Sequence, residues 1–182
     1  MRLFTAFNLS QEVKNKLQIT ISKLKNIKIY GNYSTIDNLH ITLVFIGETN
    51  QCSKVIIEMD KIESPAFDIK ISQLGIFHRK FGDILWAGLE ENPALQKLQE
   101  KLHKAIGNIG FSIENRTYNP HITLGRKIIL PNNFQIAKLN EQNLNISTSI
   151  DCFSLMKSEH IDGKLIYTEI HKKTMINGAK NE

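Results

Sequence analysis

The stretch His-Ile-Thr-Leu at residues His40–Leu43 is repeated without change at His121–Leu124. The two copies lie 121 − 40 = 81 residues apart. Since alternate side chains of a strand point to the same face, each histidine shares a face with the threonine two residues later. The repeat therefore predicts two short strands, each with an imidazole and a hydroxyl on one side and two core-filling residues on the other.

The similarity between the two halves extends upstream of the histidines at the same spacing. The apolar stretch Leu3–Ala6 aligns with Ile84–Ala87, and no gap is needed between Leu3 and His40. After each stretch, apolar residues recur at steps of four, four and three, as in an amphipathic helix. We therefore predict one two-lobed domain over residues 1–182, with an internal repeat over about 2–47 and 83–128. The matching helical positions are Val13, Leu17, Ile21 and Leu24 in the first half and Ala94, Leu98, Leu102 and Ala105 in the second.

Local signals place the remaining elements. Ser10 is a favourable N-cap for the first helix, and Pro93 suits the first turn of the second. The dipeptide at residues 162–163, Asp-Gly, is a strong hairpin signal. The other predicted segments are a helix over Ser53–Ile62, a strand over Ala66–Ser72, a basic loop over Gly75–Gly82, a weak segment over Asn132–Leu139, a strand over Leu144–Ile150, hairpin arms over Asp151–Lys157 and Lys164–Lys172, and a frayed end from Lys173.

The composition is that of a globular protein. Hydrophobic residues make up 41% of the chain and charged residues 23%, and no apolar run approaches the ~18–20 residues that span a bilayer. The opening residues lack the features of a signal peptide, so we expect a cytoplasmic protein. Cys52 and Cys152 have no metal-ligand spacing and are interpreted as free thiols. The net charge of +5 suits a polyanionic partner without requiring one.

The paired strands favour cleavage of a phosphodiester without a metal. Hydrolysis of a cyclic phosphodiester needs one group to take a proton from water and one to give a proton to the departing oxygen. Histidine suits both tasks because its ordinary pKa lies near neutrality. Thr42 and Thr123 are placed to donate hydrogen bonds to the phosphate oxygens of the transition state. At this point either His40 or His121 could be the acid.

Other interpretations of the histidines were weighed. A lone histidine is more often structural than catalytic, and we interpret the other four in this way. A zinc site would require about three or four ligands, and neither copy brings a carboxylate or cysteine at ligand spacing. We therefore predict no metal and no cofactor. Ribonuclease-like transphosphorylation would use a similar pair but would commonly add a lysine near the phosphate. The four histidines interpreted as structural are His78, His103, His160 and His171.

One aligned position differs between the halves in a way that bears on phosphate binding. Phe45 in the first copy aligns with Arg126 in the second. Arginine binds phosphate well through its planar fork of donors. By strict alternation Arg126 points away from His121 and Thr123, so it reaches the cleft only from a strand end or a bulge. The alternative is a surface arginine.

Further substrate contacts are predicted from residue type. Arg79 and Lys80 either line a groove for a nucleic-acid backbone or form a solvated basic loop. Tyr118, Phe7 and Phe45 either stack on a base or belong to the core.

The chain resembles the two-histidine phosphoesterase superfamily, and within it the RNA 2′,3′-cyclic phosphodiesterases, also named 2′-5′ RNA ligases. The resemblance covers nearly the whole chain. One departure is Tyr33–Ile36, where relatives often carry a tryptophan and prolines. The segments that carry the resemblance are Arg2–Phe7, Asn38–Glu48, Leu85–Gly88 and Asn119–Arg126.

The resemblance implies a bilobal, pseudo-symmetric α+β fold in which two antiparallel sheets line a V-shaped cleft and helices lie outside. It also implies metal-independent hydrolysis of an RNA 2′,3′-cyclic phosphate to a 2′-phosphomonoester, with His40 as proton donor and His121 as proton acceptor. Ligation would be the same chemistry in reverse. The expected partner is RNA with a cyclic phosphate end, such as a tRNA fragment; no membrane or protein partner is implied, and we expect a monomer.

Two alternatives stay open. The first is a phosphodiesterase for small cyclic nucleotides or 2′-5′ oligonucleotides, because substrate choice lies in loops. The second is an RNA-end-binding module without turnover, which the two matched proton-transfer groups argue against.

Overall fold

The computed structural model describes residues 1–142 and 144–176, which form two antiparallel sheets and three α-helices. Short 3-10 turns cover Ile36–Asn38 and Ile136–Gln142. The helices are α1 (Gln11–Asn26), α2 (Cys52–Asp60) and α3 (Pro93–Asn108). The strands are β1 (Arg2–Asn8), β2 (Tyr30–Tyr33), β3 (His40–Glu48), β4 (Phe67–Phe77), β5 (Asp83–Leu89), β6 (His121–Ile129), β7 (Ile146–Ile150), β8 (Cys152–Ile161) and β9 (Lys164–Thr174).

The two histidine-bearing strands belong to different sheets. The four-stranded sheet has the order β3-β1-β8-β9, and the five-stranded sheet has the order β2-β6-β5-β4-β7. The Asn38 side chain, just before β3, donates a hydrogen bond of 2.8 Å to the carbonyl of Leu165 in β9. Since β3 and β9 are opposite edges of the four-stranded sheet, this sheet is strongly curled. β3 also contacts β6, so the two histidine strands meet where the sheets adjoin.

The helices begin where the sequence predicts. The Ser10 hydroxyl accepts from the amide of Val13, and α3 starts at Pro93 after the N-cap Asn92. Two of the helices, α1 and α3, pack on the sheet that does not contain the strand before them. Thus α1 follows β1 but contacts β7, and α3 follows β5 but contacts β3. The predicted α+β fold with two antiparallel sheets and outer helices is confirmed. The buried face of α1 consists of Val13, Leu17, Thr20, Ile21 and Leu24, and that of α3 of Leu95, Leu98, Leu102 and Ile106.

Some element predictions need correction. The hairpin at Asp162-Gly163 is present, with positive φ of 50° and 75° as a tight hairpin turn requires. The predicted loop over Gly75–Gly82 is wrong for its first part, because β4 runs on to Phe77. The predicted fraying from Lys173 is wrong as far as residue 176, because β9 continues to Thr174, Met175 is buried and Ile176 forms a β-bridge with Pro65. The remainder of that segment lies outside the described residues.

The pairing of the strands departs from the sequence alignment by one residue. β5 begins 83 − 2 = 81 residues after β1. However, Ala6 lies opposite Thr42 whereas Trp86 lies opposite Thr123, a spacing of 86 − 6 = 80. Because a one-residue slip turns a side chain to the other face of a sheet, Trp86 takes the cleft position that Ala6 occupies in the first half. The strand pairing therefore relates β1 to β5 with an offset of 80 residues, whereas the gap-free sequence alignment uses 81. The duplication itself stays a prediction.

Candidate active site

Each histidine ring is held by a backbone carbonyl two residues before it. The Nδ1 atom of His40 lies 2.7 Å from the carbonyl oxygen of Asn38, and Nδ1 of His121 lies 2.7 Å from that of Asn119. Since a carbonyl only accepts, Nδ1 carries the proton in both rings. In a neutral ring the Nε2 atom is then an unprotonated acceptor. Both imidazoles therefore present Nε2 as the reactive atom.

Aromatic rings fix the orientation of the imidazoles. His40 packs against both Phe4 and Tyr167, whose ring centroids are 5.0 and 4.9 Å from its own, and Tyr167 meets it edge-on. His121 has Phe77 at 5.0 Å, also edge-on, and Phe77 in turn packs against Trp86 at 5.0 Å. Neither ring is free to rotate away without losing these contacts.

Two glycines make room for Trp86 on the cleft face of the five-stranded sheet. A Cβ atom at Gly75 would lie 2.2 Å from the indole Cζ2, and one at Gly88 would lie 2.7 Å from Cζ3. The indole thus lies directly on the backbone of β4 and β5. This contact explains why a glycine stands inside β4, where the sequence predicts a loop.

The threonines of both motifs lie beside the histidines, and their carbonyls tie the two halves together. The Oγ1 atom of Thr42 is 3.0 Å from Nε2 of His40, to which the hydroxyl donates when the ring is neutral. The carbonyl of Thr42 accepts from the Tyr118 hydroxyl at 3.0 Å, and the carbonyl of Thr123 accepts from the Ser34 hydroxyl at 2.8 Å. Each motif is therefore braced by a side chain of the other half. Ser34 belongs to the segment Tyr33–Ile36 that departs from relatives.

A β-bulge in each histidine strand brings one further residue to the cleft face. The pairing of β5 with β6 passes from Trp86–Thr123 to Leu85–Gly125, so β6 has an extra residue there. Arg126 consequently shares the face of Thr123, as its position requires if it is to reach the cleft. The same bulge in β3 places Phe45, which is 51% exposed, on the cleft face beside Phe4 at 6.0 Å.

Burial and surrounding positive charge keep both imidazoles neutral. Burial lowers the pKa of His40 to about 4, and the charges of His121, Arg126 and Lys14 act in the same direction against the hydrogen bond to the Asn38 carbonyl. The pKa of His121 is lowered as well, first by burial and then by Arg116 and Arg126. The positive charge of the cleft thus favours binding of an anion, and the negative charge of that anion would raise the pKa values of His40 and His121.

The other predicted contacts are placed as follows. Arg79 lies in the turn between β4 and β5, with its guanidinium 5.9 Å from the Phe77 ring. Tyr118 is half-buried against the main core and bonded to β3, in line with the alternative that assigns it to the core. Stacking by Phe7 is wrong, because its ring is fully buried in the core.

Three neighbours of the histidines had no signal in the sequence. Arg116 is in a coil segment, Tyr167 comes from a distant strand, and Phe4 lies on β1, the strand beside β3. By contrast, Asn38 and Asn119 share the repeat spacing, since 119 − 38 = 81. Within residues 1–142 and 144–176, no group of three or more potential metal ligands is present. The helices of this part of the chain include none long and apolar enough to cross a membrane.

The curled pair of antiparallel sheets and the two facing His-x-Thr strands define a two-histidine phosphoesterase. A family model described as the 2′-5′ RNA ligase superfamily matches residues 13–162, and the chain belongs to that superfamily.

Relatives and solved structures agree with this membership. The chain is 29% identical over 163 residues to a Thermotoga maritima protein named RNA 2′,3′-cyclic phosphodiesterase, covering 87% of each. It is 31% identical over 138 residues to a Bacillus subtilis protein of the same name, covering 73% of this chain and 74% of that one. The crystal structure of E. coli LigT complexed with 3′-AMP matches with a TM-score of 0.82 and 25% identity, covering 96% and 97% of the chains.

Proposed function

We propose that this protein hydrolyses RNA 2′,3′-cyclic phosphate ends to 2′-phosphomonoesters without a metal. The observation that carries the proposal is the pair of imidazoles on adjoining strands, each with Nδ1 bound to a carbonyl, which leaves Nε2 as the atom for proton transfer. The T. maritima and B. subtilis relatives carry the name of this activity, and the LigT structure holds a nucleoside 3′-phosphate. The reverse reaction with a ribose hydroxyl would give 2′-5′ ligation.

In the proposed mechanism the two imidazoles exchange protons with opposite ends of the reacting phosphate. Nε2 of neutral His121 takes a proton from water as the water oxygen bonds to phosphorus. The bond from phosphorus to the 3′ oxygen breaks, and His40, protonated on Nε2, gives its proton to that oxygen. The 2′ ester bond stays intact, and a proton returns through solvent from His121 to His40. Assignment of His40 as donor and His121 as acceptor follows the family resemblance.

The surroundings support the charged states that this mechanism needs. Negative charge gathers on the non-bridging phosphate oxygens in the transition state, where Thr42, Thr123 and Arg126 would donate hydrogen bonds. The substrate anion favours protonated His40, which the free protein disfavours at neutral pH. On binding, the Thr42 hydroxyl would turn from Nε2 of His40 to a phosphate oxygen.

We infer that further contacts lie at the rim of the cleft. Phe45 is exposed on the cleft face and suits stacking on a base. Arg79, above Phe77, suits the backbone of the RNA. Tyr118 acts through β3, because its hydroxyl is bonded to the Thr42 carbonyl. We propose that the protein works as a monomer in the cytoplasm on RNA ends such as those of tRNA fragments.

The experiment is turnover of a short RNA with a 2′,3′-cyclic phosphate end, in EDTA, with the product isomer identified by phosphorus NMR. The proposal predicts turnover and a 2′-phosphate as the sole product. A 3′-phosphate product would overturn the assigned direction of cleavage. Turnover of cyclic mononucleotides alone would favour the small-nucleotide alternative, and binding without turnover would favour the RNA-end-binding module. Loss of activity in EDTA, restored by zinc, would refute the metal-independent mechanism.

A further inference from the structure

One face of β1 carries a row of side chains beside the two-histidine site. Arg2, Phe4, Ala6 and Asn8 alternate along this face, and they lie opposite Glu48, Phe45, Thr42 and His40 of β3. Phe4 and Ala6 form a small apolar cluster with Met156 and Tyr167, separate from the main core. The row therefore has the His40 end of the site on one side, the Phe4 ring in the middle and Arg2 at the other end.

Arg2 and Tyr167 lie in one line across the curled sheet. Arg2 is opposite Ser158 of β8, and Ser158 is opposite Tyr167 of β9. Neighbouring strands are about 4.8 Å apart, so the two backbones are separated by roughly 10 Å in a flat sheet and by less in a curled one. Two long side chains span this gap easily. The Tyr167 ring also lies 5.1 Å from Phe4 and 4.9 Å from His40, which joins this line to the site.

Charges from both sheets act on Tyr167. Burial raises the pKa of Tyr167, while the positive charges of Arg126 and Arg2 act in the opposite direction. Arg126 also lowers the pKa of both histidines, so its charge acts on the reacting site as well.

These two arginines have no carboxylate partner in the described part of the chain. Neither Arg2 nor Arg126 forms a salt bridge within residues 1–142 and 144–176. Glu48, opposite Arg2, has its carboxylate 3.5 Å from the Met1 nitrogen instead. At the other end of the row, Asn8 donates a 2.6 Å hydrogen bond to Glu169, whose negative charge disfavours a phosphate. The arginine end of the row therefore suits a second phosphate better than the Asn8 end does.

We propose that Arg2 and the Tyr167 hydroxyl bind the phosphodiester that joins the terminal nucleotide of the RNA to the preceding one, while Arg126 serves the reacting phosphate. The inference rests on the proposed function and deepens it, because a cyclic mononucleotide lacks this second phosphate. Arg2 is then a specificity-determining residue that favours RNA ends over small cyclic nucleotides. The rings of Phe4 and Phe45 then lie between the reacting phosphate and the preceding phosphodiester.

The test compares Arg2→Gln with wild type on a 2′,3′-cyclic mononucleotide and on a dinucleotide with a 2′,3′-cyclic end. Loss of one charge-assisted phosphate contact predicts a fall of about tenfold to a hundredfold in kcat/KM for the dinucleotide. The mononucleotide rate should stay within about twofold, since Arg2 does not contact the reacting phosphate. Arg2→Lys should recover part of the loss. Lys104→Gln, on an exposed position of α3, removes the same charge and should change neither rate.

Equal loss on both substrates, or no loss on the dinucleotide, would overturn the proposal. A binding measurement keeps it separate from the proposed function. Calorimetry with a dinucleotide 2′-phosphate and a nucleoside 2′-phosphate needs no turnover, and Arg2→Gln should weaken only the former. If wild type hydrolyses neither cyclic substrate, the proposed function fails while this comparison still decides the role of Arg2.

Discussion

His40 should titrate far below an ordinary histidine in the free protein and return towards neutrality when a phosphate binds. Its pKa of about 4 means that only about one molecule in a thousand carries the proton at pH 7. Protonating it there costs about 4 kcal/mol, at 1.36 kcal/mol per pKa unit. A unit negative charge about 4 Å away, at an effective dielectric constant near 20, returns about 4 kcal/mol. Bound phosphate should therefore raise the pKa of His40 to roughly 7.

The assay is two-dimensional proton–carbon NMR of the imidazole Cε1–Hε1 groups from pH 4.5 to 8, with and without inorganic phosphate. His40→Gln assigns the signal. We expect the free His40 signal to stay near its neutral position above about pH 5.5 and to move by only about a quarter of its full shift at pH 4.5, and we expect a midpoint near 7 when phosphate is bound. A midpoint near 6.5 in the free protein would refute the effect of burial, and no upward shift with phosphate would refute the electrostatic reasoning.

The same depressed pKa predicts a loss of stability in acid. The folded-state pKa of His40 lies below the unfolded value of about 6.5, so the unfolded chain binds the proton first as the pH falls. Stability is fully present above pH 6.5 and declines between pH 6.5 and 4, by up to about 3 kcal/mol from this residue. Urea unfolding of wild type and His40→Gln at pH 7 and pH 4.5 measures the difference, and parallel curves would contradict it.

Further predictions concern packing, transition-state contacts and pH. Gly75→Ala should destabilise the protein by about 1–3 kcal/mol because the new Cβ meets Trp86. The control Gly107→Ala, with open space around it, should not destabilise the protein. Equal melting temperatures of the two variants would contradict the close packing of Trp86 on Gly75. Thr123→Val should keep the melting temperature and lower kcat by about tenfold or more, and an unchanged kcat would remove the hydroxyl from the mechanism. The rate should depend on pH as a bell, as one acid and one base require, and a flat profile between pH 5 and 8 would count against the histidine pair.

The repeated motif was sufficient to predict the strands that carry the site, because strand alternation and helical periodicity are local properties. It placed His40 and His121 on two β-strands, and it identified the condition under which Arg126 reaches the cleft. The bulges that meet this condition depend on pairing between distant strands, which the sequence does not reveal. For the same reason the alignment did not reveal that Trp86 lies on the cleft face.

The neighbours of the histidines were harder to predict. Tyr167 reaches His40 only because the four-stranded sheet curls until β9 bonds to Asn38, 127 residues away along the chain from Leu165. For Tyr118, residue type left base stacking and core packing as alternatives, and its hydroxyl bonds to the opposite motif. Residue type identifies what a side chain is able to do, while its partner follows from tertiary packing.

We propose that His40 and His121 together catalyse the hydrolysis of an RNA 2′,3′-cyclic phosphate end. The most direct measurement is the single-turnover rate on such an RNA, in EDTA, for wild type, His40→Ala, His121→Ala and the exposed control His160→Ala, with circular dichroism to verify folding. We expect the single-turnover rate to fall by about a hundredfold or more in each active-site variant and to stay unchanged in the control. A folded His40→Ala or His121→Ala protein with a near-wild-type rate would contradict it.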